Sequence, residues 1–424
     1  MKLPKLFSKP LDQEDRVAVI FWIVFVGFAA AVFFHYYMGT VLGKNYPWNT
    51  FLFKPDDRFM DFFNPVRGSA NRDPFTLNGG YLPFGYFTAY LFSLIKLPEG
   101  WFRPLENPIQ REILGPWLLA CVIYLLGFCA YLFWYTWAHI RFLRQDRIAV
   151  KSVMLLIFPF LTYPILYAVD RANFDLLVFI FLSFFIYLYQ KGEFAISGIF
   201  LAMAIAMKGY AGIFLVLLLA DKKFKEIVYV GLWVGVLSVL SLALFQGGVV
   251  AQSQKFLASL GSAYDNGIAN AGSLRFSSSL FSFLVVALSP LGFDVAKNTI
   301  FSTIYTIFIF GIAGLFLLEI FLERVFWRQV AILTILMILL PWSSGDYRLI
   351  FMFVPLYMFL NNPQPSRYDL AYSVLFGLLL IPKNYYSISG DQNIGMLINP
   401  MVLIGLIVLL LIDRFRHGER LAPA

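Results

Sequence analysis

NTFLFKPDDRFMDFFN, residues 49–64, follows on the apolar run VAVIFWIVFVGFAAAVFFHYYM, residues 17–38. That run is long enough to cross a bilayer as a helix, since about 20 apolar residues cover the roughly 30 Å of hydrocarbon. The stretch after it sets Asp56, Asp57 and Asp61 among phenylalanines in the first loop outside the span. Carboxylates against a membrane face are costly to desolvate, so a cluster of them there is a functional hypothesis by default. In this position they suggest a base working where water meets lipid.

The pattern of an apolar run and a short polar break then repeats to Ile412. The chain has 424 residues, of which 60% are hydrophobic and 14% charged, which excludes a soluble globular domain and a disordered chain. Long spans fall at about 17–38, 113–139, 227–245, 299–322 and 394–412, and shorter apolar runs at about 152–169, 174–190, 195–207, 209–220, 329–342, 348–360 and 370–382. A 12-residue helix covers only about 18 Å. The short runs are therefore expected to be broken, buried in the bundle or lining a cavity, with breaks at Pro159, Pro164, Pro341, Pro355 and Pro382. The expected fold class is an all-α polytopic membrane protein, a single domain over 1–424 with about 12 transmembrane helices.

The 47 Phe and 23 Tyr suit lipid-facing and interfacial surfaces. Cys121 and Cys129 lie inside an apolar span and read as buried thiols, and His35, His139 and His417 make no ligand pattern. Adjacent Asp56 and Asp57 do not point at one ion in regular structure, so no metal is expected. No Gly-rich phosphate loop precedes a helix, so no nucleotide cofactor is expected either. The net charge of +8 comes from basic residues flanking spans, which fixes orientation and does not call for nucleic acid. RFLRQDRIAVK (141–151), DKKFKE (221–226), ERVFWR (323–328) and DRFRHGER (413–420) are expected on the cytoplasmic side, with both termini. The N-terminal MKLPKLFSKPLDQEDR reads as the flank of a retained anchor.

One topology satisfies these loops. It makes 39–112 the first external loop, with Tyr81–Leu97 as a juxtamembrane helix, and 246–298 the second. Gln246–Phe276, rich in Gly, Ser, Ala and Asn, reads as a mobile loop or lid. Met203–Leu218 is expected as a hairpin of two short helices, because one continuous helix would put KGEF and DKKFKE on opposite sides. Four polar clusters then share the external face: the first loop, DRANFD (170–175), Lys208 with Tyr210, and GDYR (345–348).

Asp61, between aromatic residues, is the candidate base, with Asp57 as the alternative. The bland reading of either is an ordinary loop acid or helix cap; Asp56 reads as solvated or paired with Lys54 or Arg58. Lys208 in AMAIAMKGYAG needs an anion, a cavity or a snorkelling path, and a lipid-linked phosphate is a suitable anion. Tyr210 is placed to donate beside it. Arg171 is a second candidate phosphate ligand, oriented by Asp170. Asn173 reads first as a cap of the following helix, and Asp175 as structural. Arg348 either pairs with Asp346 or faces a cavity and a phosphate, next to Tyr347.

DDRFMDFFNP, YLPFGYF, DRANFDLLVF, SGIFLAMAIAMKGYAGIFLVLLLADKK and PWSSGDYRLIFMFVPL, in this order, resemble the GT-C superfamily of membrane glycosyltransferases. The closest similarity is to glycosyltransferase family 87, the polyprenol-phosphate-dependent, mannosyltransferase-like branch. The resemblance implies a GT-C-like bundle with its active site outside. It also implies inverting transfer of a sugar, mannose by family, from a polyprenyl-phosphate donor to a glycolipid or glycan acceptor. The first-loop Asp would act as base, best matched by Asp61, and the Lys after the small-residue helix, matched by Lys208, would touch the donor phosphate. The family often carries His before Tyr where this chain has Asp346. The implied location is the bacterial inner membrane, with membrane lipid as partner. The rival classes are a lipid-linked oligosaccharide flippase or transporter, a polysaccharide polymerase, and an O-acyltransferase; a transporter would place its polar groups near the bilayer midplane in repeated halves.

Overall fold

The computed structural model describes residues 10–76, 81–98, 108–140, 158–269, 274, 276–292, 295, 299–385, 387–389 and 392–421. In chain order its helices begin with α1 (Gln13–Tyr36), α2 (Met60–Ala70), α3 (Pro83–Ser93), α4 (Pro108–His139), α5 (Tyr163–Arg171), α6 (Asp175–Gln190), α7 (Phe194–Met207) and α8 (Leu215–Ala220). They continue with α9 (Phe224–Leu244), α10 (Gly248–Ala269), α11 (Leu280–Leu288), α12 (Thr299–Leu322), α13 (Phe326–Leu339), α14 (Phe353–Asn361), α15 (Asp369–Leu380) and α16 (Gly395–Leu421). Gln13–Val41, Gly115–His139, Phe224–Leu244, Thr303–Leu322 and Gly395–Phe415 are long and apolar enough to cross a membrane. They lie within a few residues of the long spans expected from sequence, and the chain is an all-α polytopic membrane protein.

Met1–Phe53, Leu132–Tyr167 and Ala271–Ala424 form one compact unit. Its first helix is started by Asp12, whose side chain accepts from Asp15 N (2.8 Å), and Glu14 and Asp15 complement the positive end of the helix dipole. Glycine lets α1 and α15 approach closely: a Cβ on Gly377 would meet Ile23 at 3.0–3.1 Å. The buried Arg16 guanidinium stitches this contact to the end of α14, donating to Phe359 O (2.9 Å), Asn362 O (2.8 Å) and Asp369 Oδ2 (3.0 Å). Helix α13 is buried from Val330 to Leu339, which suits a short helix wrapped by protein instead of lipid. Pro341 and Pro382 follow the ends of α13 and α15 as expected. Pro164, by contrast, sits in the first turn of α5, where a missing N–H is no loss, so it starts a helix and does not break one. Pro355 marks the change from the 3-10 turns of Asp346–Met352 to α14.

Lys54–Tyr131 and Ala168–Asn270 form the second unit. Helix α3 has 11 residues, about 16 Å, too short to cross the hydrocarbon core by itself. The hairpin reading of 203–218 agrees with the structure. Helix α7 ends at Met207, Lys208 is extended (φ −144°, ψ 107°), and the 3-10 segment Gly209–Phe214 and α8 return. At the far end Tyr189 OH donates to Leu217 O (3.0 Å) and Asp221 (2.5 Å), and Lys223 Nζ lies 4.1 Å from the Phe194 ring centre. Turns 191–193 and 221–223 thus share one end, and Asp175 and Lys208 share the other.

The mobile loop expected at 246–276 is corrected over its described part, where Gly248–Ala269 is a helix; residues 270–273 and 275 lie outside the described residues. Its Gly- and Ser-rich composition reads as coil, but the NRD turn after α2 clasps it. Arg72 Nε donates to Leu244 O (2.7 Å), Gln246 N donates to Arg72 O (2.7 Å), and Asp73 accepts from Lys255 (2.6 Å) and Gln252 (3.1 Å). Tertiary contact overrides weak propensity here.

Candidate active site

The second unit gathers Asp57, Asp61, Arg171, Asn173 and Lys208 around the starts of α2 and α6 and the end of α7. Phe59 is the pivot. It adopts a left-handed φ of 61°, costing on the order of 1–2 kcal/mol for a residue with a Cβ, and its N–H donates to Asp170 O (2.8 Å). This bend turns the chain from the 3-10 turn Pro55–Asp57 into α2 and puts Asp61 in the first helical turn. Ala172, beside Arg171, is also left-handed (φ 49°). Aromatic packing fixes the same turn from below. Phe62 is fully buried against Phe92, Tyr124 and Phe174, with ring centres 5.2–5.7 Å apart. Such pairs add about 0.5–1.5 kcal/mol each beyond burial.

The Arg171 guanidinium, its side chain only 9% exposed, reaches both first-loop acids. Nη1 donates to Asp57 Oδ2 and to Asp57 O (each 2.8 Å), and Nη2 donates to Asp61 Oδ1. Asn173 Nδ2 donates to the other Asp61 oxygen (2.7 Å). The Asn173 side-chain amide is itself oriented, because its Oδ1 accepts from Asp175 N (2.9 Å) as a cap of α6, while Tyr124 OH donates to the Asn173 main-chain carbonyl (2.7 Å). Capping and site-building, posed as alternatives from sequence, are done by one side chain. Asp61 and Asp57 remain 20% and 35% exposed, so both carboxylates are held yet reachable. Asp170 accepts from Arg58 Nε (3.2 Å), and Asp56 is solvent-exposed, 3.9 Å from Lys54.

Lys208 occupies the helix break. Its Nζ lies 3.9 Å from Asp175 Oδ1 and 3.8 Å from the centre of the Tyr81 ring. Asp175, read from sequence as structural, is fully buried and supplies the lysine's counter-charge. Tyr81 was not singled out from sequence, although it opens the YLPFGYF segment, and its hydroxyl donates to Asp61 O (3.3 Å). Tyr210 is half-buried in the 3-10 segment after Lys208. Among the described residues, no group of three or more His, Cys, Asp or Glu side chains is placed to hold a metal ion.

GDYR belongs to the other unit. Asp346, only 1% exposed, accepts from Tyr163 OH (2.7 Å), Ser278 Oγ (2.5 Å), Asn399 Nδ2 (3.3 Å) and Asn384 Nδ2. Burial pushes its carboxyl above the usual range, against the hydrogen bonds from Ser278 and Tyr163. The Arg348 guanidinium donates to Ser343 O (3.3 Å), and Tyr347 stacks on Tyr167 (ring centres 6.4 Å apart). The sequence reading missed this hub because its members come from five separate segments.

A family model described as Glycosyltransferase family 87 matches residues 89–382, more than half of the chain. The matched stretch contains Arg171, Asn173, Lys208 and Arg348, while Asp57, Asp61 and Tyr81 precede it. No curated protein matches the chain.

Proposed function

The chain belongs to glycosyltransferase family 87, and from that premise we propose that it moves a sugar, mannose by resemblance, from a polyprenyl-phosphate donor to a lipid-linked or glycan acceptor at the external face of the membrane. The acceptor hydroxyl oxygen attacks the anomeric carbon and its proton passes to Asp61. The bond from that carbon to the phosphate oxygen breaks, and polyprenyl phosphate leaves as an anion, so the configuration inverts. A phosphate leaving group needs no general acid, so one carboxylate suffices. Charge grows on the departing phosphate, and Lys208 is the cation assigned to it. Arg171 is already shared by Asp57 and Asp61, which suits it to orienting the base more than to binding the donor.

The observation that carries this reading is the Asp61 carboxylate. It stands on the first turn of α2, is gripped from two sides by Arg171 and Asn173, and is still 20% exposed. A base must be held and must also be reachable. The test is to incubate the purified protein in vesicles with labelled polyprenyl-phosphate mannose and candidate glycolipid acceptors. The expected result is label covalently joined to the acceptor. Label carried across the bilayer without transfer would favour the flippase reading instead.

A further inference from the structure

The helix break at Lys208 is filled from outside its own hairpin. Leu82 N–H donates to Met207 O (3.4 Å), a carbonyl freed where α7 stops, and Pro83 starts α3 at once. Gly85 makes the approach possible: a Cβ there would stand 3.2 Å from both Met207 O and the Tyr81 side chain. The YLPFG segment is thus seated on the break, with the face of Tyr81 under the Lys208 ammonium at 3.8 Å.

We propose that Tyr81 is a positioning residue for donor binding, its ring face holding Lys208 where the donor phosphate docks. The inference rests on the reading of Lys208 as the phosphate ligand. A ring face attracts an ammonium without accepting a short hydrogen bond from it, and Asp175, at 3.9 Å, is beyond hydrogen-bond range. The ring face thus fixes the place of the ammonium beside the buried Asp175 carboxylate. The same tyrosine bonds the backbone of Asp61, so the phosphate ligand and the base share one support.

The test is a cycle of Tyr81→Leu, Lys208→Ala and the double variant, with Tyr81→Phe as the conservative control. It reads KM for labelled polyprenyl-phosphate mannose separately from kcat, beside the thermal midpoint. Tyr81→Leu is expected to raise donor KM by roughly two- to thirtyfold, the range of a cation–π contact. Tyr81→Phe, which keeps the ring face, returns KM toward the wild-type value, and Tyr81→Leu adds little in the Lys208→Ala background. Equal penalties from Tyr81→Leu with and without Lys208 would overturn the proposal, since they mark a packing role. So would an unchanged donor KM in Tyr81→Leu when Lys208→Ala raises it. If Lys208→Ala leaves donor KM unchanged, the phosphate reading of Lys208 itself fails and takes this inference with it.

Discussion

Asp61 in one unit and Asp346 in the other are both carboxylates near membrane helices, both bonded to side chains more than 30 positions away in sequence, yet they do opposite things with that bonding. Asp61 receives side-chain donors from Arg171 and Asn173 and stays 20% exposed. Asp346 receives Tyr163, Ser278, Asn384 and Asn399, none of them cationic, and is 1% exposed. Balanced by a guanidinium and still partly exposed, Asp61 keeps the accessibility that the proposed base requires. Enclosed and saturated, Asp346 ties chain segments together. From sequence the two look alike: each is an acid beside aromatics at the edge of an apolar helix. What separates them is the number and charge of their donors, and how much of the carboxylate they leave uncovered.

The largest effect that would break this contrast is on folding. Asp346→Ala is expected to destabilise by about 3–5 kcal/mol, because buried donors of Tyr163, Ser278, Asn384 and Asn399 lose their acceptor. Thermal unfolding in detergent checks it, and a midpoint within a degree or two of wild type would mean that Asp346 does not act as a hub. Arg171→Lys sharpens the contrast from the other side. A lysine keeps the charge but cannot bridge two carboxylates with a planar fork. Loss of Asp61 orientation is expected to cut kcat by about 10- to 100-fold with little change in the unfolding midpoint; unaltered kcat would remove Arg171 from the site.

The smallest effect concerns the clasp on α10. The hydrogen bond from Lys255 holds the Asp73 carboxyl below its ordinary value of 3.8, against the opposing effect of partial burial. A lowered folded value means that the contact stabilises above 3.8 and is lost as pH falls through that lower value. Hydrogen exchange across 246–269 should rise in that acid window, and Lys255→Gln should reduce the pH dependence, the Gln252 hydrogen bond remaining. The pair is partly exposed, so the change should be modest and should weaken with salt.

The long spans were legible because a run of about 20 apolar residues has few alternatives in a bilayer protein. The reversal at Lys208 was legible too, since charge placement left no room for one continuous helix. Helix α10 was not. Its Gly, Ser and Asn content resembles coil, and its clasp is a three-residue turn lying some 170–180 positions earlier in the chain. Of the candidate site, Asp57, Asp61, Arg171, Asn173 and Lys208 were picked out by residue type and position, and the structure brings them together in one unit. Tyr81 and the pairing of Asp175 with Lys208 were invisible, because a ring face under an ammonium leaves no mark in sequence spacing. Asp346 was visible as an acid but not as a buried one, since its donors come from segments scattered between Tyr163 and Asn399.

The most direct test of the account is single-turnover transfer from polyprenyl-phosphate mannose by Asp61→Asn beside Asp57→Asn, each confirmed as folded by its unfolding midpoint. Removal of a positioned base typically costs 10²–10⁴ in rate, so Asp61→Asn should lose transfer by about that factor and Asp57→Asn by much less. Loss confined to Asp57→Asn would move the base to its neighbour, and full transfer by both variants would contradict a carboxylate mechanism in this protein.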